Sequence, residues 1–267
     1  MNIVFDIGGT NMRVASAEGT TLGEIKKVPT PQDPGEALRQ FIALGKEVSG
    51  GSTIECIAGC SRGRVVDGIF LADKLLPQWA QTPLAQRISE GLGAPVEIVH
   101  DTGAIGLGEV HAGAGRGSSI CAYVTISSGV GGDRIVDGHI DRSTYNPEIG
   151  RTLINGVQLE DLISGTAVEK KFGIHPKELD SLDERTKLAD ILAIGLHNTV
   201  LHWSPDTIVL GGSMIIGVNP IPRGRVEESL SKLVLKTYPT APKVIMASLG
   251  DNGGLIGAAI LAAHGIH

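Results

Sequence analysis

Two stretches of this sequence repeat one plan: a strand-like apolar run, a glycine-rich turn, and a second strand-like run. The first is "NIVFDIGGTNMRVASA" near the start, and the second is "SICAYVTISSGVGGDRIVDGHI" from residue 119. Helical patterns follow each, so strands and helices alternate and the chain reads as α/β with two related halves. In the first half "TLGEIKKV" reads as a third strand. "GEALRQFIALGKEV" places Leu38, Phe41, Ile42 and Gly45 on one helical face. "TIECIAGC" is expected as a buried strand, "PLAQRISEGLG" as a helix stopped by glycine, and "PVEIVHD" as a strand feeding a helix that starts near Asp101. In the second half "KLADILAIGLHNTVLHW" repeats apolar residues at helical spacing. "DTIVLGG" and "KVIMASL" read as strands, and "GGLIGAAILAAHG" as a closing helix. Asp180 to Arg185 reads as a polar connection. The expected domains are 1–112 and 113–252, with a helix over about 253–267 packing back on the first.

Composition narrows the function classes. The 267 residues are enough for one large domain or two smaller ones, and 42% hydrophobic against 19% charged residues excludes a disordered chain. A net charge of −6 without a basic run gives no support for nucleic-acid binding. Gly, Asp or Lys interrupts every apolar stretch before it reaches the length of a membrane helix. Cys56, Cys60 and Cys121 form an odd set without Cys-x-x-Cys spacing, so neither a disulfide framework nor a zinc site is expected. The start runs directly into a strand with no signal-type segment, so a cytoplasmic protein is expected.

The glycine turns carry the first chemical signal. Gly8 and Gly9 suit a tight hairpin, but Asp6 is an acid in an apolar strand, where an unpaired charge is costly. With Thr10 and Asn11 beside it, the same turn suits a phosphate–magnesium site: N–H groups face phosphate oxygens and the carboxylate holds a hydrated metal. No helix follows the glycines as a Rossmann turn requires, and no Gly-Lys-Ser/Thr is present. The second turn offers Ser127, Ser128, Gly129, Gly131 and Gly132. Gly211-Gly212 ends a strand, either as an ordinary strand-to-helix turn or as a place where backbone meets a flat nucleoside. Asp101 stands where an Asp caps a helix or where a carboxylate accepts a proton.

In order along the chain, "DIGGT", "VHDTGAIGLGE", "SSGVGG", "EIGR", "LEDLISGTA", "IVLGGSM" and "LGDNGGLIGAA" resemble the motifs of the ROK (repressor, open reading frame, kinase) family, from residue 3 to about residue 262. The family is part of the actin-like, sugar-kinase superfamily. The resemblance implies two RNase-H-like domains closing on a cleft, ATP and a hexose as ligands, and a homodimer. It assigns Gly8, Gly9, Thr10, Asn11, Ser128, Gly129, Gly131, Gly132, Gly211 and Gly212 to the nucleotide and Asp6 to Mg²⁺, held through water. It makes Asp101 the base that takes the proton of the attacking sugar hydroxyl, and assigns Glu148 and Glu160 to the sugar.

Departures from the family pattern bear on the choice of sugar. His100 stands where the family has Asn, and Arg151 where it has His, so both are expected at the substrate. "TLINGVQLED" lacks the cysteines of the family's zinc knuckle, which implies a zinc-free member. Asp133 stands where a third glycine is common, and a carboxylate there repels phosphate unless it faces Mg²⁺ or points away. In "AGCSRGRVVDG", Arg62 and Arg64 line a pocket or sit in solvent, and solvation is the expectation. The resulting expectation is an ATP-dependent kinase acting on glucose or an N-acetylhexosamine, at the 6-hydroxyl by resemblance. Polyphosphate as the donor, a sugar-sensing regulator and a pseudokinase without turnover are the alternatives.

Overall fold

The structure, a computed structural model, describes residues 1–71 and 73–264. They form two compact units: Met1–Gly108 together with the chain from Gly250 onward, and Glu109–Leu249.

The first unit contains β1 (Asn2–Ile7), β2 (Asn11–Glu18), β3 (Thr21–Leu22), β4 (Lys26–Pro29), α1 (Pro34–Ser49), β5 (Cys56–Ser61), β6 (Val65–Val66), β7 (Ile69–Phe70), α2 (Leu84–Leu92), β8 (Val96–His100) and the start of α3 (Asp101–Ala112). The main sheet runs β3-β2-β1-β5-β8, with β4 also paired to β2, and β6 and β7 form a separate short hairpin. β1 and β2 are antiparallel, whereas β5 and β8 join parallel to β1. The expected single strand "TLGEIKKV" is instead the pair β3 and β4. Gly23 breaks it: its N–H donates to Ser16 O at 2.9 Å, and the chain turns there.

The strand period of two sorts β1 between two cores. Ile3, Phe5 and Ile7 face α1 and α2, joining Leu38, Phe41, Ile57 and Ile88. Phe5 and Phe41 meet edge to face at 5.1 Å, and burying each ring is worth about 2–3 kcal/mol. α1 begins where the Asp33 carboxylate accepts from Glu36 N at 2.6 Å, with Pro34 in the first turn. α2 ends at Gly93 in the left-handed conformation. Val4 faces the other way, toward α9 (Gly253–His264), with Ala15, Ala17, Ala58 and Leu255. The small side chains let α9 lie close to the sheet. The expected closing helix is therefore present, and its positions 265–267 lie outside the described residues.

The second unit contains β9 (Ile120–Ile126), β10 (Val130–Val136), β11 (His139–Ile140), β12 (Leu153–Ile154), β13 (Val157–Gln158), α4 (Leu159–Ile163), α5 (Gly165–Phe172), α6 (Leu182–Trp203), β14 (Thr207–Gly211), α7 (Ser213–Ile216), α8 (Arg223–Val234) and β15 (Lys243–Met246). Its sheet runs β11-β10-β9-β14-β15, again with an antiparallel hairpin first and parallel strands beside it. Ala122, Val124, Ile126, Ile208 and Leu210 pack against Leu188, Leu192 and Leu196 of α6. Residues 180–185 are not a plain connection: α6 begins at Leu182, with Ser181 Oγ accepting from Glu184 N. Ser181 followed three residues later by Glu184 is a capping pattern. Among the described residues no helix is long and apolar enough to cross a membrane.

Candidate active site

In the first unit, chemistry gathers at the carboxyl edge of parallel strands, where open α/β sheets place their ligands. The hairpin turn Gly8–Asn11 is closed by Gly8 N donating to Asn11 O at 2.9 Å. Thr30 braces it from β4's end: its N–H donates to Thr10 O at 2.9 Å and its Oγ1 to Gly8 O at 2.7 Å. Among the described residues the N–H groups of Gly9 and Thr10 have no protein acceptor, so they remain available to an anion.

Asp6 is one residue short of the turn, on the α9 side, with 14% of its side chain exposed. Its Oδ2 pairs with Arg13, its cross-strand neighbour, and Arg13 also donates to Asp251 O. A Cβ added to Gly254 would lie 3.3 Å from Asp6 Oδ2, so the first turn of α9 closes directly on the carboxylate. A helix N-terminus favours that negative charge. The Cys60 thiol is fully buried beside Asp6, and burial pushes its pKa well up, so it stays a neutral thiol.

Asp101 opens α3 directly after β8. About a third of its side chain reaches solvent, while the rest is closely surrounded by protein. Burial raises its pKa above the usual aspartate range, the charge of Asp6 adds to the rise, and His100 and Arg62 oppose it. His100 Nδ1 lies 2.7 Å from Thr102 Oγ1 and 3.4 Å from Asp101 Oδ1. It therefore braces the start of α3 as well as facing Asp101. Contrary to the solvated expectation, Arg62 is ion-paired through Nε to Asp73 at 3.0 Å, with 30% of its side chain exposed. Arg64 is exposed, as expected.

In the second unit, Ser127, Ser128 and Gly129 form the corresponding turn between β9 and β10. Ser127 N donates to Gly129 O at 2.8 Å, and the N–H groups of Ser128 and Gly129 have no protein acceptor among the described residues. Gly131 and Gly132 lie past the turn, in the β10 ladder opposite Thr125 and Val124. A Cβ on Gly132 would meet Tyr123 O at 2.7 Å and Ile149 at 3.0 Å, so packing alone accounts for that glycine. Asp133 is buried in the same strand and accepts from Arg134 N at 2.9 Å.

Glu160 reaches this turn from α4. Its Oε2 accepts from Val130 N at 3.0 Å and lies 2.6 Å from the Cβ position of Gly129. Arg151 Nη1 stands 3.8 Å from Glu160 Oε1 and donates to Gln158 Oε1 at 2.7 Å. Three of the expected residues therefore meet here: Gly129, Glu160 and Arg151. Glu148 stands just before the short 3₁₀ turn Ile149–Arg151, exposed, its carbonyl accepting from Arg151 N at 2.9 Å.

A cleft of about 230 Å³ opens beside the turn, lined by Ser127, Ser128, Thr166, Lys177, Ser213 and Met214 among others. Gly211 and Gly212 lead into it at the end of β14. Gly212 has φ 88° and ψ 159°, and a Cβ there would sit 2.2 Å from Ile126 O. A side chain is excluded by the protein's own backbone before any ligand is considered. Thr166 Oγ1 donates to Ser128 O at 2.7 Å, and Ser213 Oγ is 3.2 Å from Ser127 Oγ. Thr166 and Ser213 stand within the quoted motifs "LEDLISGTA" and "IVLGGSM" without a role assigned from the sequence, and Lys177 had no signal there; α5, α7 and the turn after α5 deliver the three to the cleft.

A magnesium ion held through water needs one or two carboxylates and phosphate oxygens. Asp6, with Oδ2 taken by Arg13 and the open N–H groups of Gly9 and Thr10 nearby, fits that requirement. Among the described residues no group of three or more His, Cys, Asp or Glu side chains is placed to hold a metal by itself.

Comparisons with known proteins agree with this architecture. The chain is 30% identical to the bifunctional enzyme NanE/NanK of Brucella melitensis over 290 residues, covering 98% of this chain and 54% of that protein. Among solved structures, the ROK hexokinase from Thermus thermophilus superposes with a TM-score of 0.86 at 25% identity, covering 97% of this chain and 96% of that one. A ROK family glucokinase from Streptomyces griseus, solved with glucose and AMPPNP, superposes with a TM-score of 0.79 at 23% identity over 99% of both chains. The ROK family model matches residues 2–264. With an actin-like sugar-kinase fold and a family match along nearly its whole length, the chain belongs to the ROK family.

Proposed function

We propose that the protein is an ATP-dependent sugar kinase that transfers the γ-phosphoryl group to a hexose hydroxyl, the 6-hydroxyl of glucose or of an N-acetylhexosamine. One observation carries the reading. Asp101, a carboxylate with a raised pKa, ends one parallel strand while the anion-ready Gly8–Asn11 turn ends another of the same sheet. Relatives named hexokinase, glucokinase and NanE/NanK support the reaction class.

Phosphoryl transfer asks the protein mainly for positioning and charge stabilisation. Asp101 accepts the hydroxyl proton as the oxygen attacks, and a raised pKa makes it a better proton acceptor. In the first unit the free N–H groups of Gly9 and Thr10 bind phosphate oxygens; in the second unit the free N–H groups of Ser128 and Gly129 are likewise suited to an anion. The cleft beside Ser213 holds the nucleoside. Magnesium, when bound, neutralises phosphate charge, and Asp6 orients its waters. Glu160 and Glu148 accept hydrogen bonds from sugar hydroxyls. Arg151, whose Nη1 lies 3.8 Å from Glu160 Oε1, sits beside this carboxylate at the second hairpin.

The test is ADP release from Mg²⁺-ATP in a coupled assay, screening hexoses, N-acetylhexosamines and ketoses, with polyphosphate as a second donor. Release that depends on one of these sugars is expected. Sugar binding without turnover from either donor refutes the kinase reading in favour of a pseudokinase or sugar sensor.

A further inference from the structure

Three parallel strands of the first unit end side by side. Ile7, Ser61 and His100 are aligned across β1, β5 and β8, so the next residue of each strand, Gly8, Arg62 and Asp101, stands at one lip. β5 is the middle strand, which puts Arg62 between the glycine turn and the base. Its N–H donates to Ile7 O at 3.1 Å. Its side chain leans over the turn: a Cβ on Gly9 would meet Leu75 Cδ1 at 2.7 Å and Arg62 Cδ at 3.1 Å, so the glycine makes room for both. The Nε donates to Asp73 Oδ2 at 3.0 Å, and Asp73 Oδ1 is itself held by Leu75 N at 2.8 Å. Among the described residues the two terminal nitrogens of Arg62 have no protein acceptor. A guanidinium with one edge anchored and the other open is a rigid fork for an oxyanion.

We propose that Arg62 is a further catalytic residue, binding the oxygens of the phosphoryl group in transit. The proposal rests on the kinase reading. In the step, the sugar oxygen forms a bond to the γ-phosphorus and the bond from that phosphorus to the ADP oxygen breaks. The electron pair of the broken bond stays on ADP, and the hydroxyl proton passes to Asp101. Charge spreads over the three equatorial oxygens, which is where a fixed guanidinium contributes most. The same cation, after His100, opposes the rise that burial gives the pKa of Asp101.

The experiment compares wild type, Arg62→Ala and Arg62→Lys with Mg²⁺-ATP and each sugar that wild type accepts, with melting curves to establish that each variant is folded. Arg62→Ala lowers kcat by about 10³-fold, the range of arginines that act on phosphoryl transfer, while KM for ATP and sugar changes less than fivefold. Arg62→Lys recovers part of the loss, and millimolar guanidinium partly rescues Arg62→Ala but not wild type. A folded Arg62→Ala with kcat within threefold of wild type overturns the proposal and leaves the kinase reading standing. A loss confined to KM for sugar acids, with neutral sugars unaffected, also overturns it, because Arg62 then reads an anionic substituent. Absence of sugar phosphorylation by wild type with either donor defeats the kinase reading, and this proposal with it.

Discussion

Replacing Asp101 with Asn removes the proton acceptor and little else. The amide has nearly the same shape, so the contact with His100 Nδ1 (3.4 Å from Oδ1) is kept in position while its charge is lost. A general base contributes about 10²–10⁴-fold to rate, so kcat is expected to fall about 10³-fold, equivalent to about 4 kcal/mol of barrier. Nucleotide affinity, read by titration with AMPPNP, changes less than about threefold because Asp101 makes no donor contact in this account. The pH dependence of the rate provides a second test. Burial raises Asp101 above its ordinary range, so the wild-type rate falls, as pH drops, at a pH above the usual aspartate value of about 3.9. The variant's residual rate lacks that limb. Stability moves in the opposite direction. An aspartate with a folded pKa above its unfolded one penalises the fold increasingly as pH rises from the unfolded value through the folded one. The penalty persists at neutral pH, where the variant therefore melts at a higher temperature, and the gain disappears below about pH 4. Turnover within tenfold of wild type together with an unchanged acid limb would reduce Asp101 to a structural helix-start residue.

Asp6→Asn is expected to weaken nucleotide binding at least tenfold in Mg²⁺ and far less in its absence, measured by calorimetry; equal effects in both would remove the metal role. Gly212→Ala is expected to cost at least about 1–3 kcal/mol in urea unfolding, because φ 88° with ψ 159° is a region only glycine occupies at ease and the new methyl would face Ile126 O. Asp190→Asn breaks the two-point pair to Arg225 Nε at 2.7 Å and Nη2 at 2.9 Å between α6 and α8. Both partners are more than a third exposed, so the loss is about 1 kcal/mol or less. The Arg225 guanidinium holds Asp190 below the usual carboxylate range, so this contribution is present above the unfolded pKa and fades as pH falls through the lowered value; a melting-temperature difference independent of pH would contradict it.

How far the sequence could be read depended on whether the controlling contact was local. The two strand–turn–strand openings, the helical face of α1, α2 with Gly93, and the strand from Thr207 to Gly211 were legible because each signal lies within a few residues of its effect. The start of α6 was missed although Ser181 and Glu184 form a local cap, because polar residues there outweighed the pattern. The ROK motifs and the fold were legible from the ordered set. The Arg13–Asp6 pair was not, although strand register carries it: Asp6 and Arg13 are opposite across the hairpin. Arg62 was hidden further, because its partner Asp73 lies across a loop and its place between Gly8 and Asp101 exists only once β5 sits between β1 and β8. Likewise, Gly132 and Gly212 looked like ligand glycines, whereas the backbone of β9 already forbids side chains there.

The most direct test follows phosphorus itself. In ³¹P NMR of the protein with Mg²⁺-ATP, adding an accepted sugar should convert the γ-phosphate signal into an equal amount of sugar phosphomonoester, with no such change when the sugar is omitted. Conversion to inorganic phosphate instead, or unchanged donor spectra with both ATP and polyphosphate across the sugar panel, would contradict a sugar kinase.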